Sequence, residues 1–158
     1  ELHQRIVELN MLNGKSRMLA GYCWNWISKK DKTLKDITIG EYAATWNLTE
    51  HGQAFIVHPD SVSEVGCIHT VQGYDLNYVG IIIGGELSYD FFNNKFIIKK
   101  ENYYDRNGYV GASDEELKEY ILNIYKTLFT RGINGTYFYV VDKKLRKYFN
   151  KFLDIVDK

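Results

Sequence analysis

The sequence predicts an α/β fold in which a parallel sheet is flanked by helices. Residues 78–83 and 135–141 are continuous apolar runs, which is typical of strands buried on both faces. Apolar residues recur at helical spacing in 2–12, 117–128 and 143–156, so helices precede, separate and follow these strands. This alternation indicates a parallel sheet covered by helices, and 158 residues suffice for one domain with its own core.

The first half of the chain predicts one helix and three strands. Apolar side chains recur at helical spacing over 2–12, and Asn13-Gly14 ends this helix. A polar, irregular stretch over 24–52 predicts no regular element. The strands are predicted at 17–23, 64–70 and 78–83.

The second half predicts a hairpin, a long helix, another strand and a closing helix. Ser113 opens the long helix, Glu116 completes a capping box three residues later, and Gly132 or Gly135 ends it. The apolar stripe of this helix consists of Leu117, Ile121, Ile124, Tyr125 and Leu128. The other elements are a hairpin over 89–99 turning at Asn93-Asn94, a loop over 100–112 containing Asn107-Gly108, a strand over 135–141 and a helix over 143–156.

Composition and charge narrow the function classes. Basic and acidic side chains balance at 20 each, and this zero net charge is unusual for a stand-alone nucleic-acid binder. No apolar run reaches the roughly 18 residues of a membrane span, so no membrane contact is expected. Cys23 and Cys67 lie far apart in apolar runs, which predicts buried free thiols in a cytoplasmic protein. The chain begins at Glu1 rather than Met, and we expect it to be a fragment of a larger protein.

Residues 13–16 contain the Gly-Lys-Ser of a phosphate-binding loop in the wrong context. The motif requires a glycine five residues before Gly14, where Leu9 stands. It also requires a preceding strand and a following helix, whereas here a predicted helix precedes and a strand follows. The sequence therefore predicts a helix end with an exposed Lys15 and no phosphate-binding loop.

A polar joint between the strands predicted at 64–70 and 78–83 carries the candidate functional residues. Its members are His69, Thr70, Gln72, Gly73 and Asp75. Ligands of open α/β sheets bind beyond the carboxyl ends of the strands, where we expect this joint to lie. A glycine lets the backbone approach a ligand closely, the Gln72 amide both donates and accepts hydrogen bonds, and Asp75 can accept from a sugar hydroxyl or a metal-held water.

Arg131 follows Thr130 at the end of the long predicted helix. Its planar guanidinium suits a phosphate, and an arginine that reaches a γ-phosphate from a neighbouring domain accelerates hydrolysis about 10³–10⁵-fold in NTPases. Taken singly, His69 is explained as a strand-end histidine, Gln72-Gly73 as a turn and Arg131 as a charge facing the helix dipole. Their combined order favours the functional interpretation.

These two segments resemble motifs V and VI of superfamily 1 DNA/RNA helicases. The motif V pattern H-x-x-[QK]-G-x-[ED], which precedes an apolar strand, is matched by His69, Gln72, Gly73 and Asp75. The motif VI helix, which contains an aromatic residue and ends in L-T-R, is matched by Tyr125, Leu128, Thr130 and Arg131. SRMLAGYCW at 16–24, together with GCIHTVQG at 66–73, is also similar to an uncharacterised bacterial helicase-like family within that superfamily. The resemblance covers most of residues 16–142.

The resemblance implies that residues 1–158 form the second RecA-like domain of a helicase or translocase, without a phosphate-binding loop. By resemblance, Gly73 lies near the γ-phosphate of ATP with Mg²⁺, Asp75 near the ribose or γ-phosphate, and Arg131 is the arginine finger. Asp75 stands where Glu is usual, and Gly132 where Ala is usual. Because neither Walker box occurs, an upstream RecA-like domain must carry both, and this chain alone is expected to be inactive.

The resemblance also implies a nucleic-acid site. By resemblance, His69 and Thr70 border single-stranded DNA or RNA, and Gln72 couples this strand to the nucleotide.

Two other functions are compatible with the sequence. One is a non-catalytic nucleic-acid adaptor that stacks bases on Trp24, Trp26 and Trp46. The other is a metal-dependent nuclease with Asp75, Glu86 and Asp90 as ligands near Lys95. The zero net charge disfavours the adaptor, and the carboxylate spacing of the nuclease candidate is generic.

Overall fold

The chain builds one parallel sheet between helices, as the sequence predicts. The computed structural model describes residues 1–48, 50–105, 108 and 110–153. The helices are α1 (Leu2–Asn13), α2 (Asp114–Phe129) and α3 (Lys143–Phe149). The strands are β1 (Ser16–Ala20), β2 (Ile37–Ile39), β3 (Tyr42–Ala44), β4 (Val65–Gly66), β5 (Leu76–Ile83), β6 (Leu87–Asp90), β7 (Lys95–Ile98) and β8 (Gly132–Val140).

Four of these strands form the main sheet, in the order β4-β1-β5-β8, and all neighbouring pairs are parallel. In register, Leu19 of β1 lies between Gly66 of β4 and Ile81 of β5, and Ile81 also pairs with Phe138 of β8. Strands β2–β3 and β6–β7 form two separate antiparallel hairpins. This architecture is compatible with a RecA-like fold.

Each face of the sheet buries its own apolar cluster. Met18 and Ile82 pack with Ile6 of α1 on one face. Leu19 and Ile81, their neighbours along the same strands, belong to the cluster on the opposite face, which contains α2. Successive side chains of a strand point to opposite faces of the sheet. Because apolar clusters cover both faces, both sets of side chains must be apolar, which explains the continuous apolar runs in the sequence.

Helix α2 agrees closely with its sequence pattern. The Ser113 hydroxyl accepts from the Glu116 amide while the Glu116 carboxylate accepts from the Ser113 amide, so the predicted capping box is present. All five residues of the predicted stripe are buried. The helix ends at Phe129, with Thr130 as its C-cap, before either of the glycines predicted to end it. Gly132 instead begins β8.

Other element boundaries differ from prediction. The strand predicted at 64–70 is confined to β4, because the chain then enters a 3₁₀ turn at Ile68–Val71. The polar stretch 24–52 contains the hairpin β2–β3. The closing helix ends at Phe149, and residues 154–156 of that prediction lie outside the described residues, as does Asn107 of the predicted loop. The hairpin is confirmed with its turn between Asp90 and Lys95.

The segment around Lys15 is a helix end, as predicted. The Gly14 amide donates to the Asn10 carbonyl at 2.8 Å, and Gly14 adopts φ +66° as it leaves α1. Lys15 is exposed. Cys67 is buried and Cys23 half-buried, and both thiols are free. In the described part of the chain, no helix combines the length and apolarity required to cross a bilayer.

Arg17 is a fully buried cation within β1. Its Nε donates to the Phe55 carbonyl at 3.0 Å, and its Nη2 to the His58 carbonyl at 2.8 Å. Nη1 donates to Asn10 Oδ1 at 2.7 Å. Burial lowers the pKa of Arg17 to about 10, and the nearby Glu64 carboxylate opposes that shift. This side chain therefore ties α1 and the segment before β4 to the sheet.

Candidate functional site

The predicted polar joint is divided between the two edges of the sheet. It leaves the carboxyl end of β4 and must cross β1, which lies between β4 and β5, to reach the amino end of β5. His69 therefore lies at the carboxyl edge, whereas Asp75 lies at the amino edge, directly before Leu76. The expectation that the whole joint lies beyond the carboxyl ends of the strands is wrong for Asp75.

At the carboxyl edge, the 3₁₀ turn presents His69 to solvent. The Thr70 hydroxyl accepts from the Cys67 amide at 2.9 Å and donates to the Cys67 carbonyl at 2.7 Å, which fixes the turn. The ring of His69 lies 6.2 Å from that of Tyr22, which follows the carboxyl end of β1. Thr70 is thus occupied in holding the turn, and His69 is left as an exposed aromatic and polar group.

Gln72 and Gly73 form the centre of a β-turn. Gln72 adopts φ −63° and ψ 123°, Gly73 adopts φ +81°, and the Tyr74 amide donates to the Val71 carbonyl at 3.1 Å. These values describe a type II turn, whose third position requires a positive φ and therefore favours glycine. No atom outside the neighbouring residues lies within 4 Å of the position a Gly73 Cβ would occupy. The backbone is accordingly open to an approaching group.

At the amino edge, Arg131 and Asp75 lie side by side. The register places Leu76 opposite Gly132, so the residues before each strand are neighbours. Arg131 Nη1 lies 3.6 Å from Asp75 Oδ1 and 3.4 Å from the Tyr74 carbonyl, and Nε donates to the Thr127 carbonyl at 3.3 Å. These distances are long for charge-assisted hydrogen bonds, so a phosphate that approaches can replace them at little cost.

A cleft runs along the polar joint. Its volume is about 690 Å³. It is lined by Asn47, Leu48, Gly52, His69, Thr70, Gln72, Gly73 and Tyr74. Four residues of the joint therefore line one surface, namely His69, Thr70, Gln72 and Gly73, whereas Asp75 lies outside this lining.

A buried polar cluster lies behind the carboxyl edge. The Tyr125 hydroxyl of α2 donates to Glu86 Oε1 and accepts from the Gly84 amide at 3.0 Å. The Gly85 amide donates to Cys23 Sγ at 2.9 Å. Burial raises the pKa of Glu86, although the Tyr125 hydrogen bond opposes this shift. The cluster links the ends of β1 and β5 to the helix that leads to Arg131.

Comparison with known proteins assigns this chain to a family. Residues 1–142 match the family model described as Schlafen group 3, DNA/RNA helicase domain. The chain belongs to this family. A Saccharomyces cerevisiae (strain ATCC 204508 / S288c) protein, YPL245W, is 39% identical over 93 residues, which are 56% of this chain and 20% of that protein. The chain thus spans about a fifth of the length of this relative. No solved structure matches this chain significantly.

Membership of the Schlafen group 3 helicase domain family confirms the prediction of a helicase-like domain. The structure places the predicted residues in two groups, with His69 and Thr70 at one edge and Asp75 and Arg131 at the other. The assignment to the second of two RecA-like domains, and the role of each site residue, stay predictions.

In this Schlafen group 3 domain the carboxylates of the nuclease candidate lack the required geometry. Asp75 and Glu86 flank opposite ends of β5, whose eight residues span about 26 Å, so they cannot share a metal ion. Within the described residues, no group of three histidine, cysteine or acidic side chains is placed to hold a metal. Of the three tryptophans of the adaptor candidate, Trp46 is buried, and Trp24 and Trp26 are half-buried. Trp46 is 3% exposed and pairs with Val65 beside β4, so it cannot serve as a stacking platform.

Sequence reasoning missed two contributors to this domain. The sequence places Arg17 at the start of the strand predicted at 17–23 without a partner, although a cation within an apolar strand indicates a buried polar network. Tyr125 was assigned to the apolar stripe, although its hydroxyl bonds Glu86. The signal in the sequence is Glu86, an acidic residue that follows an apolar strand after only two glycines. Such a position indicates a buried carboxylate that needs a hydrogen-bond partner.

Proposed function

We propose that this chain is the second RecA-like domain of a superfamily 1 type helicase or translocase and is part of a longer protein. In that protein an upstream RecA-like domain carries the Walker A and B boxes and holds most of ATP with Mg²⁺. The observation that carries the proposal is the pairing of Arg131 with Asp75 at the amino edge of the sheet. The free thiols support a reducing location such as the cytoplasm.

The amino edge has the features required for contact with the nucleotide. The side chain of Arg131 is 25% exposed, and that of Asp75 is 60% exposed. The turn at Gly73 leaves space in which a phosphate can approach the backbone. We assign the γ-phosphate to Arg131 and Gly73, and the ribose or γ-phosphate to Asp75. ATP supplies the phosphoryl group, and this chain supplies the cationic fork that stabilises charge during its transfer.

The carboxyl edge is assigned to single-stranded DNA or RNA. His69 is exposed on a turn that Thr70 holds in place, so its ring can stack on a base without reorganisation. Gln72 lines the same cleft as His69 and precedes Asp75 by three residues. We therefore assign Gln72 to the coupling between strand and nucleotide, with Thr70 as a positioning residue for His69.

Replacement of His69 by alanine tests the strand assignment. In the longer protein, His69→Ala is expected to raise the concentration of single strand that gives half-maximal ATPase stimulation by about tenfold. Loss of one base–aromatic stack costs about 1–3 kcal/mol, and 1.4 kcal/mol is a factor of ten. The measurement is steady-state ATP hydrolysis against oligonucleotide concentration.

The matched control is Tyr120→Ala, which removes an aromatic ring that is 57% exposed on α2. This variant is expected to stay within about twofold of the wild type. If His69→Ala and Tyr120→Ala give the same titration curve, the strand does not contact the carboxyl edge at His69.

A further inference from the structure

The tip of the β6–β7 hairpin presents two aromatic rings to solvent. Phe91 is 38% exposed and Phe92 is 95% exposed. The tip is rigid, because Asp90 Oδ1 accepts from the amides of Phe92 and Asn93 at 2.9 and 3.2 Å, and Asp90 Oδ2 accepts from the Asn93 side chain at 2.7 Å. The protein therefore holds a phenylalanine in water on a well-defined turn, although burial of such a ring is worth about 1.5–3 kcal/mol.

Helix α3 and the turn that follows it supply positive charge beside these rings. Residues 143–153 contain five basic and no acidic side chains, although the chain as a whole is neutral. The Nζ atoms of Lys147 and Lys151 lie 5.7 and 4.7 Å from the centroid of the Phe91 ring. Among the described residues, neither lysine has an ion-pair partner. Their charges are therefore available to an anionic partner.

The hairpin and α3 are fastened together. The rings of Tyr89 in β6 and Tyr148 in α3 stack at 3.9 Å, and Phe96 in β7 meets Tyr148 edge-on at 5.4 Å. Asp142 caps the start of α3, and its carboxylate is occupied by Lys99 at 2.7 Å, Ser88 at 2.9 Å and the Leu145 amide at 2.8 Å. The aromatic tip and the lysines thus form one preorganised surface, which we call the hairpin patch (Phe91, Phe92, Lys147 and Lys151).

The hairpin patch is connected to the carboxyl edge of the sheet. The hairpin begins four residues after the end of β5, and α3 begins three residues after the end of β8. β5 and β8 are neighbours, and His69 follows β4 at the same edge. The patch therefore lies at the same edge of the sheet as His69. His69 follows β4 at one end of the strand order, and the patch follows β5 and β8 at the other end.

We propose that the hairpin patch is a second binding surface for single-stranded nucleic acid, separate from His69. An exposed aromatic ring stacks on a base of any identity, and the neighbouring lysines neutralise phosphates of the nucleic-acid backbone. Sequence-independent single-strand binders use this combination. The proposal deepens the proposed function by extending the strand track, and in its choice of ligand it rests on that function. The patch binds with the modest affinity of a non-specific contact, about 10⁻⁴–10⁻⁵ M.

Fluorescence anisotropy of a labelled oligothymidylate with the 158-residue chain tests the patch. Phe92→Ala is expected to raise Kd at least fivefold, since a base–aromatic stack is worth about 1–3 kcal/mol. The double variant Lys147→Ala/Lys151→Ala is expected to flatten the dependence of log Kd on log salt by about 0.7 per lysine. Tyr120→Ala and Lys126→Ala, exposed residues of α2, are the matched controls and should change Kd less than twofold.

Three results would overturn the proposal. One is an oligothymidylate Kd that Phe92→Ala leaves unchanged. Another is a salt dependence that the double lysine variant leaves unchanged. The third is binding to phosphatidylserine vesicles without binding to the oligonucleotide, which would assign the patch to a membrane surface. The binding assay contains no ATP. A loss of oligonucleotide binding in Phe92→Ala would therefore support the patch even if the longer protein had no ATPase activity, and ATPase activity would support the proposed function even if the patch bound no oligonucleotide.

Discussion

Arg131→Ala is expected to lower the strand-stimulated ATPase rate of the longer protein by about 10³–10⁵-fold, the range measured for arginine fingers. The guanidinium of Arg131 is held by contacts of 3.3–3.6 Å to Thr127, Tyr74 and Asp75, so it can turn toward a phosphate of the adjoining domain. In the proposed function this side chain stabilises charge that develops during phosphoryl transfer, so its loss is expected to lower kcat. KM for ATP should change little, because the upstream domain holds most of the nucleotide.

Folding does not confound this experiment. The ion pair of Arg131 with Asp75 is partly exposed and worth no more than about 1 kcal/mol, so the variant should remain folded. Lys126→Ala removes an exposed cation of α2, five residues before Arg131, and is the matched control. A decrease of less than about tenfold in Arg131→Ala, or an equal decrease in Lys126→Ala, would remove Arg131 from the nucleotide site.

Arg17→Leu is expected to destabilise the domain by about 3–5 kcal/mol, the cost of breaking a buried charged network by removing one partner. The carbonyls of Phe55 and His58 would each lose one donor in the interior, which leaves Ser61 as the donor that they share. Glu64, which is 7% exposed, would also lose the nearby positive charge. Domains of this size have a total stability of about 5–15 kcal/mol, so the loss is a large fraction of it.

Urea unfolding of the chain, followed by far-ultraviolet circular dichroism, measures this loss. Arg5→Leu is the matched control, because Arg5 lies on α1 with its side chain 51% exposed and makes surface contacts with Glu8 and the ring of Tyr137. It should change the free energy of unfolding by less than about 0.5–1 kcal/mol. A comparable stability for the two variants would show that the Arg17 network does not hold the segment before β4.

Periodicity predicted the elements that bury a regular apolar face. Helix α2 is the clearest case, since its stripe from Leu117 to Leu128 is buried and its capping box is present. The strand predicted at 64–70 was too long, because the apolar run GCI continues past Gly66 while the hydroxyl of Thr70 bonds the Cys67 backbone and turns the chain. When a side chain bonds backbone groups that would otherwise pair with a neighbouring strand, the strand ends, but the spacing of apolar residues does not reveal this.

The separation of the candidate site into two edges also escaped sequence reasoning. His69 and Asp75 are six residues apart in the chain, but the order β4-β1-β5 forces the joint to cross the sheet between them. Strand order depends on contacts between distant segments, so no local pattern contains it. The same reason applies to Arg17, whose acceptors Phe55 and His58 are 38 and 41 residues away.

The most direct test of the central claim is ATP hydrolysis by two proteins, the 158-residue chain and the longer protein that we propose contains it, each with and without single-stranded DNA or RNA. In the proposed function the longer protein hydrolyses ATP, and a single strand accelerates this hydrolysis. No steady-state hydrolysis by the chain alone is expected, because the phosphate-binding loop lies in the other domain. Hydrolysis by the purified chain, or a longer protein that hydrolyses no ATP under either condition, would contradict the proposed function.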